Sequence, residues 1–190
     1  MFKRDILTIP NALSFSRIVF LPLLIALALM RKDMAFLIIF IVIGSTDAFD
    51  GLVARKFNMT SDFGKTIDSL ADLFFYLACA WFMYQLFPAV LEPNLMLLYV
   101  FLSVLAISFV VSFIRIGKPV MMHTYWLKLN AVLVYMLIIL SFFTDTTWFL
   151  AAILFSFIGA FTEEMAIFIL FGDVDPDTPS IFTLMRSKTV

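Results

Sequence analysis

Asp47, Asp50, Asp68 and Asp72 fall within the 26 residues DAFDGLVARKFNMTSDFGKTIDSLAD of a chain that is otherwise strongly apolar. At about 100° per residue, Asp47 and Asp50 at i, i+3 share one helix face, and Asp68 and Asp72 at i, i+4 share another. Four clustered carboxylates within a bilayer cost about 10 kcal/mol on insertion scales, before their mutual repulsion is counted. The cations close in sequence, Arg55 and Lys65, carry too little charge to offset them. Hard divalent cations that take oxygen ligands, Mg2+ or Mn2+, balance the site best. A pair of them bridged by carboxylates suits the oxygens of a phosphoryl group. The neighbouring residues indicate the ligand. Gly51 follows Asp50 inside a helix, where glycine costs about 1 kcal/mol relative to alanine. With Ala54 one turn on, it lets a ligand approach the backbone, and Gly64 does the same at the opening of the next helix. Arg55 offers a bidentate fork to phosphate. Metals, an arginine and a groove of small residues describe a pyrophosphate-bearing ligand.

The elements that must position these groups are read from the hydrophobic pattern. Of 190 residues, 63% are hydrophobic, 24 are Phe and only 14% are charged, and the mean hydropathy is +1.06. A spanning helix needs roughly 20 mostly apolar residues. Six segments come close, at 15–31, 34–56, 66–88, 94–116, 125–144 and 148–171. The expected fold is an all-α membrane protein of six transmembrane helices, forming a single domain over residues 1–190. Residues 1–14 make an amphipathic juxtamembrane lead-in to a retained first span, since Pro10, Asn11, Ser14 and Arg17 interrupt the apolar run as no signal peptide would. Residues 172–190, containing GDVDPDTPS, make a surface tail.

Basic residues collect in cytoplasmic loops. With the N-terminus inside, Lys3, Arg4, Arg17, Arg55, Lys56, Lys65, Arg115, Lys118, Lys128, Arg186 and Lys188 are cytoplasmic, and only Arg31 and Lys32 fall outside. Both termini are then cytoplasmic. Asp47 lies roughly 20 Å along the second helix at 1.5 Å per residue, which puts the four aspartates in one inner-leaflet site facing the cytoplasm. The net charge of −1 and the dispersed basic residues exclude a phosphate-tracking stripe, so no nucleic acid is expected. The single Cys79 can form neither an internal disulfide nor a zinc site, and reads as a small buried hydrophobe. The aromatics, including Phe74, Phe75, Phe142 and Phe143, are assigned to lipid contact and packing.

The pattern Asp47-x2-Asp50-Gly51-x2-Ala54-Arg55-x8-Gly64-x3-Asp68-x3-Asp72 resembles, at all eight fixed positions, the signature of the CDP-alcohol phosphatidyltransferases. The lead-in Ile9-Pro10-Asn11-Ala12-Leu13-Ser14, with Arg17 beyond, is similar to the phosphatidylglycerophosphate synthase branch. The stretch Asp68-Ser69-Leu70-Ala71-Asp72 looks like phosphatidylserine synthases. The resemblance implies a six-helix membrane enzyme of phospholipid biosynthesis, commonly a homodimer. It implies two divalent cations held by Asp47, Asp50, Asp68 and Asp72, with Asp72 also the general base, and a CDP pocket lined by Asp47, Gly51, Ala54, Arg55 and Gly64. The donor it implies is CDP-diacylglycerol, attacked by a small alcohol with release of CMP. The expected setting is a prokaryotic inner membrane.

The signature does not name the alcohol. Arg115, Lys118 and Lys128 are candidates for an acceptor phosphate, with snorkelled, topology-setting charges as the competing reading. Glycerol 3-phosphate is the expected acceptor, with serine and inositol phosphate as alternatives, because the lysine-threonine pattern of glycerophosphate enzymes is absent around His123 and Thr124. His123 reads as a loop residue or a substrate hydrogen-bonding group. Glu163 and Glu164 read as partners of Lys128, or as receptors for an amino-bearing acceptor. Of the other classes, a divalent-cation transporter is opposed by the single one-sided acidic cluster. A prenyltransferase would need a second aspartate-rich segment that Asp145 alone does not supply, and a degenerate scaffold would not keep its aspartates intact.

Overall fold

The computed structural model describes residues 9–57, 62–117, 120–122, 124–175 and 178–188; of these, the side chains of residues 9–15, 46–57, 62–73, 187 and 188 are outside the description. The described elements are all helical: α1 (Ile9–Leu29), α2 (Asp33–Phe57), α3 (Asp62–Leu86), a single turn α4 (Pro88–Leu91) running into a 3-10 turn at Glu92–Asn94, α5 (Leu95–Ile116), α6 (Tyr125–Ser141), α7 (Thr147–Phe171) and α8 (Ile181–Lys188). The six long helices fall on the six apolar segments. At 1.5 Å per residue they run from about 26 Å for α6 to about 38 Å for α2, α3 and α7.

Two compact units divide the chain, Met1–Pro88 and Ala89–Val190. In the first, α1 packs on both α2 and α3. Pro10 is tolerated because the first helical turn has no use for its missing amide, so residues 9–14, expected as a lead-in, are continuous with the first apolar segment as one helix. The turn between α1 and α2 is closed by Lys32 N bonding Leu27 O at 3.0 Å and Arg31 N bonding Ala28 O at 3.2 Å, with Arg31 left-handed at φ 54°. This paired closure satisfies the last carbonyls of α1. The core of the unit gathers Leu24 and Ala28 of α1, Phe36, Phe40 and Ile43 of α2, and Ala78, Cys79, Phe82 and Met83 of α3. Cys79 is a buried packing residue, as expected.

In the second unit α5 and α7 run parallel. Phe101 meets Phe157 with ring centroids 5.2 Å apart, and Asn94 Nδ2 bonds Thr147 O at 3.0 Å. Helix α6 returns antiparallel against α7, with Trp126 Nε1 donating to Ser156 Oγ at 2.8 Å. Thr124 caps α6 by accepting from Leu127 N at 3.3 Å. The tail is not wholly irregular, because α8 buries Ile181 and Leu184 against Met122, Ile167 and Phe168.

Polarity along α5 is inverted relative to a water-soluble helix. Ser108 and Ser112 are buried while Ile107, Val110, Phe113 and Ile114 are more than half exposed. Polar atoms turned inward and large apolar side chains turned outward are what a lipid solvent selects. Among the described residues, Pro88–Ile116 and Thr147–Phe171 are long and apolar enough to cross a membrane. Ser16–Leu29, Asp33–Ser45, Phe74–Leu86 and Tyr125–Ser141 are shorter apolar helices.

Candidate active site

The first pair of aspartates lies on α2 and the second on α3, both on unbroken helix. The side chains of Asp47, Asp50, Asp68 and Asp72, and those of Gly51, Ala54, Arg55 and Gly64, lie outside the described residues. The residues leading up to them are described, and they form an aromatic seam. Phe36 meets Phe82 edge-on with centroids 4.8 Å apart, and Phe40 stacks on Phe75 at 5.5 Å. As numbering rises on α2 it falls on α3, so the two helices are antiparallel. Continued at helical pitch, that register sets position 50 level with 68 and position 47 level with 72. On α2, positions 36, 40, 47 and 50 fall within an arc of about 80°, and on α3 positions 82, 75, 68 and 72 do the same. The aspartate positions therefore extend the helix faces that the phenylalanines use.

Arg17 is a charged side chain of the same unit, 3% exposed on α1, the helix that packs on both α2 and α3. A buried guanidinium in an apolar helix is costly unless it serves anions. The sequence marked Arg17 as part of the lead-in but left it out of the charge balance, although its distance from the helix end was the available signal.

In the second unit, Arg115 is exposed, and its Nη2 donates to Ile169 O near the end of α7. Lys128 is exposed on α6. Lys118 and His123 lie outside the described residues. The expected pairing of Glu163 and Glu164 with Lys128 is not formed. Glu164, 1% exposed, accepts from Ser108 Oγ at 2.9 Å and from Met122 N at 3.1 Å. Glu163 accepts from Ile181 N, the first amide of α8, at 3.0 Å. The orphaned amides at a helix start and in a connecting segment compete for these carboxylates, whereas Lys128 keeps its ammonium in the open. Ser108, Ser112 and Arg115 at i, i+4, i+7 make a polar stripe on an apolar helix. That spacing was legible in the sequence and was missed.

The candidate donors on α2 and α3 are all carboxylates by sequence, two positions per helix at one-turn spacing, and carboxylate oxygen suits hard divalent cations and not thiophilic ones. Among the described residues no cluster of acidic, histidine or cysteine side chains offers a competing metal site.

An all-helical chain with two helices long and apolar enough to cross a membrane, and with four aspartates on two neighbouring helices, is the class that fold and site define, and comparison with known proteins gives the family. Residues 7–162 match the CDP-alcohol phosphatidyltransferase family, and the chain belongs to it. Over 67 residues, 34% of this chain and 38% of the relative, it is 37% identical to a CDP-diacylglycerol–glycerol-3-phosphate 3-phosphatidyltransferase of Rickettsia typhi. A protein of the same name from Aquifex aeolicus is 35% identical over 69 residues, 36% of this chain and 39% of the relative. A cardiolipin synthase (CMP-forming) / mitochondrial hydrolase fusion protein of Schizosaccharomyces pombe is 40% identical over 70 residues, 37% of this chain and 12% of the relative. The chain thus spans less than two fifths of the length of these curated relatives. No solved structure matches it.

Proposed function

We propose that this chain transfers the phosphatidyl group of CDP-diacylglycerol to glycerol 3-phosphate, releasing CMP, in phospholipid biosynthesis. The observation that carries the reading is family membership with all eight signature positions intact. The antiparallel aromatic seam between α2 and α3 supports it, because that register suits a site built from both helices. The acceptor follows the bacterial relatives, whose names specify glycerol 3-phosphate; serine and inositol phosphate are the alternatives to be excluded.

In this reading Asp47, Asp50, Asp68 and Asp72 hold two divalent cations, Mg2+ or Mn2+, which when bound neutralise charge on the pyrophosphate. Asp47, Gly51, Ala54, Arg55 and Gly64 line the CDP pocket, where small side chains admit the ligand and Arg55 fixes a phosphate by paired donors. Asp72 takes the proton of the acceptor hydroxyl as its oxygen forms a bond to the phosphatidyl phosphorus. The bond from that phosphorus to the CMP oxygen breaks, and CMP leaves with the electron pair. Arg115, Lys118 and Lys128 hold the acceptor phosphate as point charges and forks. The protein functions as a single-domain homodimer with six spans, both termini and the active site cytoplasmic, in a prokaryotic inner membrane.

The test is purified full-length protein with CDP-diacylglycerol, Mg2+ and a panel of glycerol 3-phosphate, serine and inositol phosphate, with CMP release and lipid mass read together. Glycerol 3-phosphate should be consumed in preference, and Asp68→Asn should abolish turnover. Absence of CMP release across the whole panel would overturn the reaction class, and preference for serine would overturn the acceptor.

A further inference from the structure

Between α5 and α6, the described residues 120–122 are tied down at two points by buried side chains. Ser112 Oγ, with no exposed surface, accepts from Val120 N at 2.8 Å. Two residues on, Met122 N donates to Glu164 Oε2 at 3.1 Å, and Ser108 Oγ holds the other oxygen, Oε1, at 2.9 Å. The Met122 side chain, 1% exposed, packs between Ile167 and Phe168 of α7 and is flanked by Val111, Ile116 and Val120. Gly117 lets the chain leave α5, with φ 81° and its amide bonded to Phe113 O at 2.9 Å. Tyr125 N closes the far end on Pro179 O at 3.0 Å. Val120 and Met122 are therefore held by side chains of α5 and α7.

A carboxylate buried inside an apolar helix is costly, and structural satisfaction alone would be met more cheaply by an apolar contact. What Glu164 adds is position. Arg115 precedes residues 120–122 in the chain and Lys128 follows them, so the spacing of these two residues, both assigned above to the acceptor phosphate, depends on how Val120 and Met122 are held. We propose that Glu164 is a positioning residue that, with Ser112, fixes residues 120–122 between α5 and α6 and thereby sets affinity for the phosphorylated acceptor without contributing to donor binding. This rests on the acceptor reading given under Proposed function.

Three variants of the full chain in detergent test it. Glu164→Ala removes both bonds and should raise the KM for glycerol 3-phosphate by at least about tenfold, the loss expected when buried partners are orphaned. The KM for CDP-diacylglycerol should stay within about twofold. Glu164→Gln should restore the acceptor KM to within about threefold, because the amide oxygen accepts from Met122 N while its NH2 donates to Ser108 Oγ. Ser112→Ala releases the connection at its other tie and should reproduce the same split, which covers the case in which Glu164→Ala fails to fold. Amide hydrogen exchange at Val120 and Met122 should accelerate in both alanine variants. Equal changes in both KM values, no change in either, or loss of acceptor affinity in Glu164→Gln to the level of Glu164→Ala would overturn the positioning role. Failure of the wild type to release CMP with any acceptor would overturn the underlying reaction as well, which separates the two failures.

Discussion

Phe40 of α2 stacks on Phe75 of α3 with ring centroids 5.5 Å apart and planes inclined by 15°, and this contact lies two helical turns from the first aspartate. Phe40 also meets Phe82 edge-on at 6.4 Å, so one ring bridges two turns of the facing helix. The seam fixes how α2 slides along α3.

Phe40→Ala should therefore cost about 3–5 kcal/mol of stability, the range for deleting a buried aromatic side chain. It should also lower CMP release by more than the loss of folded protein, because a one-residue slip carries Asp50 away from the level of Asp68. Phe40→Leu keeps much of the volume and should lose less of both. Thermal unfolding in detergent, with activity per folded molecule, checks the pair.

Much of this was legible in the sequence. The six apolar segments became six long helices, since period and length are local properties, and the aspartate spacing placed two carboxylates on each of two helices. Side-chain partners were less legible. Glu163 and Glu164 were expected to find Lys128, but backbone amides of Met122 and Ile181 reached them, and the location of an unpaired amide depends on the tertiary path of the chain. Likewise α8 could not be read from an eight-residue stretch, since a helix that short exists only because Ile181 and Leu184 find Met122, Ile167 and Phe168.

Gly159 of α7 leaves room for the Trp126 ring of α6. A Cβ built there would lie 2.6 Å from the Trp126 ring, and that ring is held by its bond to Ser156 Oγ at 2.8 Å. Gly159→Ala should cost about 1–3 kcal/mol by overpacking. In a Trp126→Phe background the same substitution should cost less, because the shorter ring does not reach the new methyl group. A double-mutant cycle by thermal unfolding should return a coupling of about 1 kcal/mol or more.

Asp145 sits outside the spans and prepares the start of α7. It accepts from Thr147 Oγ1 at 2.6 Å and from Thr147 N at 2.9 Å. The hydroxyl first and then the amide hold its carboxyl below the usual carboxylate range. A folded carboxyl that titrates below its unfolded value contributes stability that is complete above the unfolded pKa of about 4 and is lost as the pH falls through the folded one. The Tm gap between wild type and Asp145→Asn should thus be full at about pH 6 and close progressively below about pH 4. A gap that widens on acidification would contradict this.

Asn130 carries no exposed surface on α6, and neither its Nδ2 nor its Oδ1 has a hydrogen-bond partner among the described residues. Other buried polar side chains of the second unit are bonded: Ser108 to Glu164, Ser112 to Val120, and Asn94 through Nδ2 to both Val90 O and Thr147 O, each at 3.0 Å. An orphaned buried amide costs about 1–3 kcal/mol. Asn130→Leu preserves the branched shape and removes both unsatisfied atoms, so it should raise stability by about 1 kcal/mol or more while leaving CMP release intact. Asn130→Ala removes the same polar atoms but leaves a void, and the cavity cost should offset part of the gain. The order of thermal stability in detergent is therefore Leu above Ala at position 130, with wild type below Leu. If wild type proves the most stable of the three, the amide has a partner in the folded protein, and the loss in Asn130→Leu measures it.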